Sequence, residues 1–301
     1  MITNSKDSVS SAALQSVVGN RFAESLRGLR QHLRDPQLRV GLAVILAYTL
    51  AALSAHWWVH GDPLQENLAS RLVPPSWVHP FGTDDLGRDL LSRVVFGAQI
   101  SIPAALIVIL CGSTFGTSLG AVAGFVGGRL DEVILRITDM VLAFPVLVLT
   151  IAIGAAFGPS LSHGVLALIV VWWPQYVRVC RGLVLDHKTR DYVAASVAAG
   201  QRAHVVLFRV ILPNTLPTIA AMAAIDVGRA ILLFSILGFV GVGARPPAPE
   251  WGSMVAEGAT VFDQWWVATF PALAILVLVF AFNLVGDALR DVMDPWAEGR
   301  T

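Results

Sequence analysis

Residues 94–128 and 140–177 of this chain carry no Asp, Glu, Lys or Arg. Such runs are hard to place in a water-soluble fold, whereas crossing a bilayer takes about 20 mostly apolar residues. Val40–Val59 forms a first span and Ile100–Val126 a second. The stretch 140–177 is too long for one crossing, and Gly158-Pro159-Ser160-Leu161-Ser162-His163-Gly164 divides it. A third span is therefore expected over Met140–Phe157 and a fourth over Val165–Val179. A fifth runs from Leu216 to Gly243, interrupted by Asp226 and Arg229, and a sixth covers Phe270–Asp287. The expected fold class is an all-α integral membrane protein with six transmembrane helices. No secretory signal is visible, because the first apolar run follows 39 polar or amphipathic residues and is long enough to stay in the bilayer.

Composition narrows the function. Only 14% of the residues are charged, against roughly 25% in soluble domains. Lys+Arg and Asp+Glu are equal at 21 each, so no basic excess exists to hold a nucleic acid. Cys111 and Cys180 form no CxxC and no zinc spacing and are expected as buried free thiols. With the N-terminus placed in the cytoplasm, sixteen basic residues fall inside and four outside (Arg71, Arg88, Arg93 and Arg245), while Arg229 lies within a span. Basic residues concentrate in cytoplasmic loops, so both termini and the loop 182–215 are expected inside. Residues 1–39 form a cytoplasmic segment, 40–295 the transmembrane domain and 296–301 a tail. Phe22, Leu26, Leu29 and Leu33 recur at helical spacing among Arg21, Arg27, Arg30 and Arg34, which predicts an amphipathic helix on the inner leaflet.

Catalytic motifs do not emerge. No GxxxxGK[ST] and no HExxH occurs, and the seven histidines show no ligand spacing. No catalytic residue, bound metal or cofactor is expected in this chain. Asp84, Asp85 and Asp89 are read as turn and helix-cap carboxylates of the first outer loop. In the cytoplasmic loop, Asp191-Tyr192-Val193-Ala194-Ala195-Ser196-Val197-Ala198-Ala199-Gly200 predicts a short helix closed by a left-handed Gly200. A second small helix is expected to follow and to end at Pro213. Two such helices make a knob with a small-residue face, suited to a cleft in a soluble partner. Asp226 and Arg229, three residues apart, share a helix face and are expected to pair or to line a pathway or an intersubunit contact. Gly112, Gly116, Gly120 and Gly124 have the spacing that lets helices approach closely.

Several blocks, in order, resemble the second (C-type) permease subunit of a dipeptide/oligopeptide-type ATP-binding-cassette importer. They are His79-Pro80-Phe81-Gly82-Thr83-Asp84-Asp85-Leu86-Gly87-Arg88-Asp89 with Ser92-Arg93 and Gly97, then Asp139 with Ala143-Phe144-Pro145, and residues 191–214. Gly241-Val242-Gly243-Ala244-Arg245-Pro246-Pro247 with Trp251-Gly252 follows, then Phe270-Pro271 and Asn283–Pro295. Together they cover about residues 75–295. The resemblance implies the type I importer membrane-domain architecture. It also implies a homologous permease as partner, two cytoplasmic ATPase subunits that bind ATP and Mg, and an extracytoplasmic solute-binding protein. Asp191, Tyr192, Ala195, Ala198, Ala199, Gly200, Pro213 and Asn214 then fall in the loop that docks on the ATPase. Ala194, Val210 and Phe234 stand where the family commonly has glutamate, histidine and glutamate. The implied location is the bacterial cytoplasmic membrane and the implied cargo is peptides. Nickel chelates, glutathione or another small solute are the alternative, and a secondary transporter or channel a more distant one.

Overall fold

The computed structural model describes residues 35–58 and 62–293. The amphipathic helix expected around Phe22–Leu33 and the tail 296–301 lie outside them. The first helix, α1, is Pro36–Trp58. It begins four residues before the expected span because Asp35 Oδ1 accepts the Gln37 N–H at 2.8 Å and Pro36 suits a first helical position. A segment without long helices, 62–89, leads to α2, Leu90–Val126. Asp89 caps α2, its side chain accepting the Ser92 N–H at 2.8 Å, so the helix starts ten residues ahead of the expected span. At 37 residues α2 is about 55 Å long, well beyond a hydrocarbon core of about 30 Å.

The third span is not the single helix expected over Met140–Phe157. It is a bent pair, α3 (Gly128–Leu142) and α4 (Val146–Phe157), meeting at 86°. Pro145 causes the break, since it donates no N–H and disfavours helical backbone at Phe144. Met140 belongs to α3, whose sequence is amphipathic. Two of its acids are bound from the next helix: Arg181 pairs with Asp131 through two bonds of 2.6 Å, and Arg178 with Asp139 at 2.7 Å. That next helix, α5, is Leu161–Lys188.

Next come α6, Asp191–Ala198, and the long α7, Ala203–Phe239. The chain does not end a helix at Pro213, as expected. It widens into a π-helical stretch, Val206–Ile211, and runs on through Pro213. The wider turn relieves the clash between the proline ring and the preceding carbonyls. Asn214 helps by donating its Nδ2–H to the Val210 carbonyl at 2.5 Å. Two further helices, α8 (Trp251–Ala259) and α9 (Trp265–Met293), complete the domain. Among the described residues five helices are long and apolar enough to cross a membrane, or six spans if the bent α3–α4 pair is taken as one. Among the described residues no strand forms, only an isolated bridge between Thr83 and Asp89.

The core lies where α2, α5 and α7 meet. Gly112, Gly116, Gly120 and Gly124 form one ridge of α2 against α5. A Cβ on Gly116 would stand 2.7 Å from Tyr176 Cβ, and one on Gly120 2.5 Å from the Val177 carbonyl. At the N-terminal end of α2, Trp251 donates Nε1–H to the Val94 carbonyl at 2.9 Å and Trp266 to that of Thr83 at 3.2 Å. Phe81 stacks on Phe270 with centroids 4.1 Å apart. These contacts hold segment 62–89, α2, α8 and α9 together. Cys180 is buried, whereas Cys111 is exposed on the apolar surface of α2, contrary to expectation, because the glycine face and not the cysteine face of α2 meets α5.

Candidate docking face and polar sites

The candidate docking face lies on α6. Val193 is its one buried side chain and packs towards the π-helical stretch of α7. Asp191, Tyr192, Ala195, Ala198, Ala199 and Gly200 are all exposed. Gly200 has φ +78°, which a β-carbon tolerates poorly, and nothing lies within 4 Å of the position a Cβ would take. The Gly200 N–H reaches the Val197 carbonyl at 2.9 Å and the Gln201 N–H reaches that of Ser196 at 3.2 Å. This is the paired-bond helix ending that glycine makes possible. On its other side α6 is tied to the end of α5, where Tyr192 Oη and His187 Nδ1 are 2.6 Å apart. Arg190, just before α6, donates to Asp186 at 2.8 Å. Pro213 and Asn214 are exposed on α7 beyond the π-helical stretch.

The second site is deep in the bundle. Asp226 is buried on α7, and its Oδ2 accepts three bonds from α5: Trp172 Nε1 at 3.2 Å, Gln175 Nε2 at 3.0 Å and Tyr176 Oη at 2.9 Å. Its Oδ1 meets Arg229 Nη1 at 3.3 Å. A carboxylate surrounded by donors in this way is stable away from water, where a bare one is not. Arg229 itself is 65% exposed on the surface of the chain. Sequence reasoning paired Asp226 with Arg229 but missed the three α5 donors. Their spacing of i, i+3 and i+4 puts them on one helix face, which was a usable signal.

The third site joins segment 62–89 and the start of α2 to α8. Asp84 accepts the Leu86 and Arg88 N–H groups, each at 2.9 Å, and the Arg88 Nε–H at 2.7 Å. Arg93 also binds Asp84. Arg93 reaches Glu257 of α8 at 2.7 Å and Arg88 reaches it at 3.2 Å. The turn and cap roles expected of Asp84 and Asp89 are present, and Asp89 also meets His79 at 3.0 Å. Glu257 was missed, and being 164 residues from Arg93 it left no local signal. Oxygens of Asp84, Asp85 and Glu257 lie within 4.8 Å of one another. Two guanidinium groups offset Asp84 and Glu257, with Asp85 3.9 Å from Arg88, so the chemistry is that of an ion-pair network tying segment 62–89 to α8. Beside it, Glu250 caps α8 through the Gly252 and Ser253 N–H groups, each at 2.8 Å, and burial pushes its carboxyl up to about 7.

Residues 116–299 match the family described as binding-protein-dependent transport system inner membrane component. The chain belongs to this family. The permease is 45% identical over 271 residues to the probable D,D-dipeptide transport system permease protein DdpC of Escherichia coli K12, covering 89% of this chain and 91% of that protein. It is 43% identical over 263 residues to the dipeptide transport system permease protein DppC of Haemophilus influenzae, covering 85% and 89%. It is 40% identical over 262 residues to the di/tripeptide transport system permease protein DppC of Pseudomonas aeruginosa, covering 85% and 86%. This permease is thus a C-type subunit and a multi-pass membrane protein with the type I importer membrane-domain architecture.

Proposed function

We propose that this permease forms half of the translocation pathway of an ATP-driven importer for peptides of the di- and oligopeptide class. The homologous permease supplies the other half. Two cytoplasmic ATPase subunits bind ATP and Mg and dock on 182–215, and an extracytoplasmic binding protein delivers the solute. Both termini lie in the cytoplasm, a topology supported by the sixteen-to-four charge bias. The names of three relatives, each a dipeptide or di/tripeptide permease aligned over most of its length, support peptides as cargo.

One observation carries the coupling role: α6 is exposed on one side and clamped on the other to both α5 and α7. Those two helices also hold Asp226 between them. A push on α6 by a closing ATPase therefore acts on the helices that surround the buried Asp226 site. The small side chains of Ala195, Ala198 and Ala199 let a groove approach with little side-chain ordering cost.

The test is Gly200→Val in the full importer, reconstituted with its ATPases and binding protein. A valine at φ +78° is strained. The subunit should insert normally, while ATP hydrolysis uncouples from peptide uptake or the ATPases dissociate. Normal coupled uptake with normal ATPase retention would exclude 182–215 as the coupling element. Topology is checked by single cysteines at Ser196 and Ser253, which should label from opposite sides of the membrane; labelling of both from outside refutes it.

A further inference from the structure

The cavities that open on the described residues differ in chemistry. Two, of about 490 Å³ each, are lined almost wholly by apolar side chains, one among α1, α2 and α9 and one among α7, α8 and α9. The third, of about 430 Å³, lies at the outer end of α5 and is lined by Pro159, Ser160, His163 and Arg245 among others. Arg245 is exposed and donates its Nε–H to the Pro159 carbonyl at 2.6 Å. That bond holds the guanidinium beside the cleft. Room for a small solute beside a fixed guanidinium is an arrangement for a carboxylate, which arginine can grip through two parallel bonds.

Arg229 lies on α7, which packs against α5. Its partner Asp226 is held by Trp172, Gln175 and Tyr176, 12 to 16 residues along α5 from Ser160, or about 18–24 Å deeper. From the outer end of α7 at Phe239, Arg229 is ten residues in, or about 15 Å, half the thickness of a hydrocarbon core. A guanidinium 65% exposed at that depth is costly against lipid. Gln175 is half-buried beside it, so the surface there is polar where the surrounding surface of the helices is apolar. Asp226 at 3.3 Å partly neutralises Arg229. Partial neutralisation suits a transit point, which must bind well enough to receive a solute and weakly enough to release it.

We propose that Arg245 and Arg229 are successive stations for a carboxylate of the transported solute, one at the outer mouth and one at mid-membrane. This rests on the reading of the chain as half of a solute pathway. A solute with a free carboxylate, such as the C-terminus of a short peptide, is handed inward along the face of α5 and α7.

The experiment uses the solubilised importer complex with Cys111→Ser, carrying either Ser160→Cys beside Arg245 or Leu232→Cys one turn from Arg229. Each cysteine is titrated with an anionic and a cationic methanethiosulfonate reagent. A local cationic station should favour the anionic reagent about tenfold at each position. Arg245→Gln should abolish that preference at Ser160→Cys and Arg229→Gln at Leu232→Cys, and lysine at either place should restore it. Dialanine should slow labelling, and dialaninamide, which lacks the carboxylate, should not. An unchanged preference in the glutamine variants, or equal protection by both compounds, overturns the proposal. Loss of the partner permease in Arg229→Gln assigns Arg229 to the subunit interface and also overturns it. If neither cysteine reacts with either reagent, the pathway reading itself fails, an outcome distinct from the others.

Discussion

The outer ion-pair network sets up a graded loss of stability across three substitutions. The side chains of Asp84, Arg88 and Arg93 are at most 2% exposed, while that of Glu257 is 22% exposed. Removing one partner of a buried pair leaves an uncompensated charge and costs about 3–5 kcal/mol. Asp84→Ala is the severe case, because it leaves two buried guanidinium groups sharing Glu257 and strips two backbone N–H groups of their acceptor. Its cost should reach the upper end, about 5 kcal/mol. Arg93→Met keeps the Asp84–Arg88 bond at 2.7 Å and the Arg88–Glu257 bond at 3.2 Å, so the remaining carboxylates retain a cation. The expected cost is about 3 kcal/mol. Glu257→Gln retains an acceptor on a side chain that reaches water, and should cost about 1 kcal/mol. With roughly 2 °C of melting temperature per kcal/mol for a chain of this size, the losses are about 10, 6 and 2 °C. Thermal denaturation in lipid nanodiscs at one fixed scan rate ranks them, a fixed rate being needed because unfolding of such proteins is irreversible. An Asp84→Ala protein that melts with Glu257→Gln would show that burial does not govern this network.

Two further expectations concern backbone packing and pH. Gly120→Val places a Cβ 2.5 Å from the Val177 carbonyl and 3.0 Å from Cys180 Cβ. It should cost at least about 1–3 kcal/mol and reduce the monodisperse yield in size-exclusion chromatography, whereas Gly182→Ala, with nothing within 4 Å, should not. Equal yields would mean that α2 and α5 are not held at backbone distance. The Glu250 carboxyl, pushed up to about 7 from an ordinary 4.5, binds its proton more tightly folded than unfolded. Stability should therefore fall as pH rises from about 4.5 through about 7 and level off above, and Glu250→Gln should flatten that slope in melting curves across the same range. A slope unchanged in Glu250→Gln would assign it to other groups.

The sequence made the number of spans legible because lipid imposes one simple demand, length of apolar chain. It also made α6 and its Gly200 ending legible, since a left-handed helix end depends on a single residue. The boundaries were less visible. Asp89 and Asp35 extend α2 and α1 beyond their apolar cores, and hydropathy carries no information about caps. Pro145 and Pro213 look equivalent in the sequence, yet one breaks a helix and the other does not. The difference lies in the π-helical stretch Val206–Ile211 and the Asn214 bond to the Val210 carbonyl, which accommodate the second proline.

Which faces meet was the least legible part, and the bilayer explains why. In water an apolar stripe marks the buried face of a helix, but in lipid the outward face is apolar too. Hydropathy therefore cannot separate Cys111, exposed on α2, from Cys180, buried on α5. What does separate the faces is the residue type that lipid cannot use. Glycines at 112, 116, 120 and 124 mark the side of α2 that reaches α5, and Trp172, Gln175 and Tyr176 mark the side of α5 that reaches Asp226. Both marks lie in the sequence at helical spacing. They become informative only when small and polar residues, not apolar ones, are taken as the signal of burial. On that reading α5 is a central helix among the described residues, since it carries a glycine-facing side, the three donors to Asp226 and, at its C-terminal end, the attachment of α6.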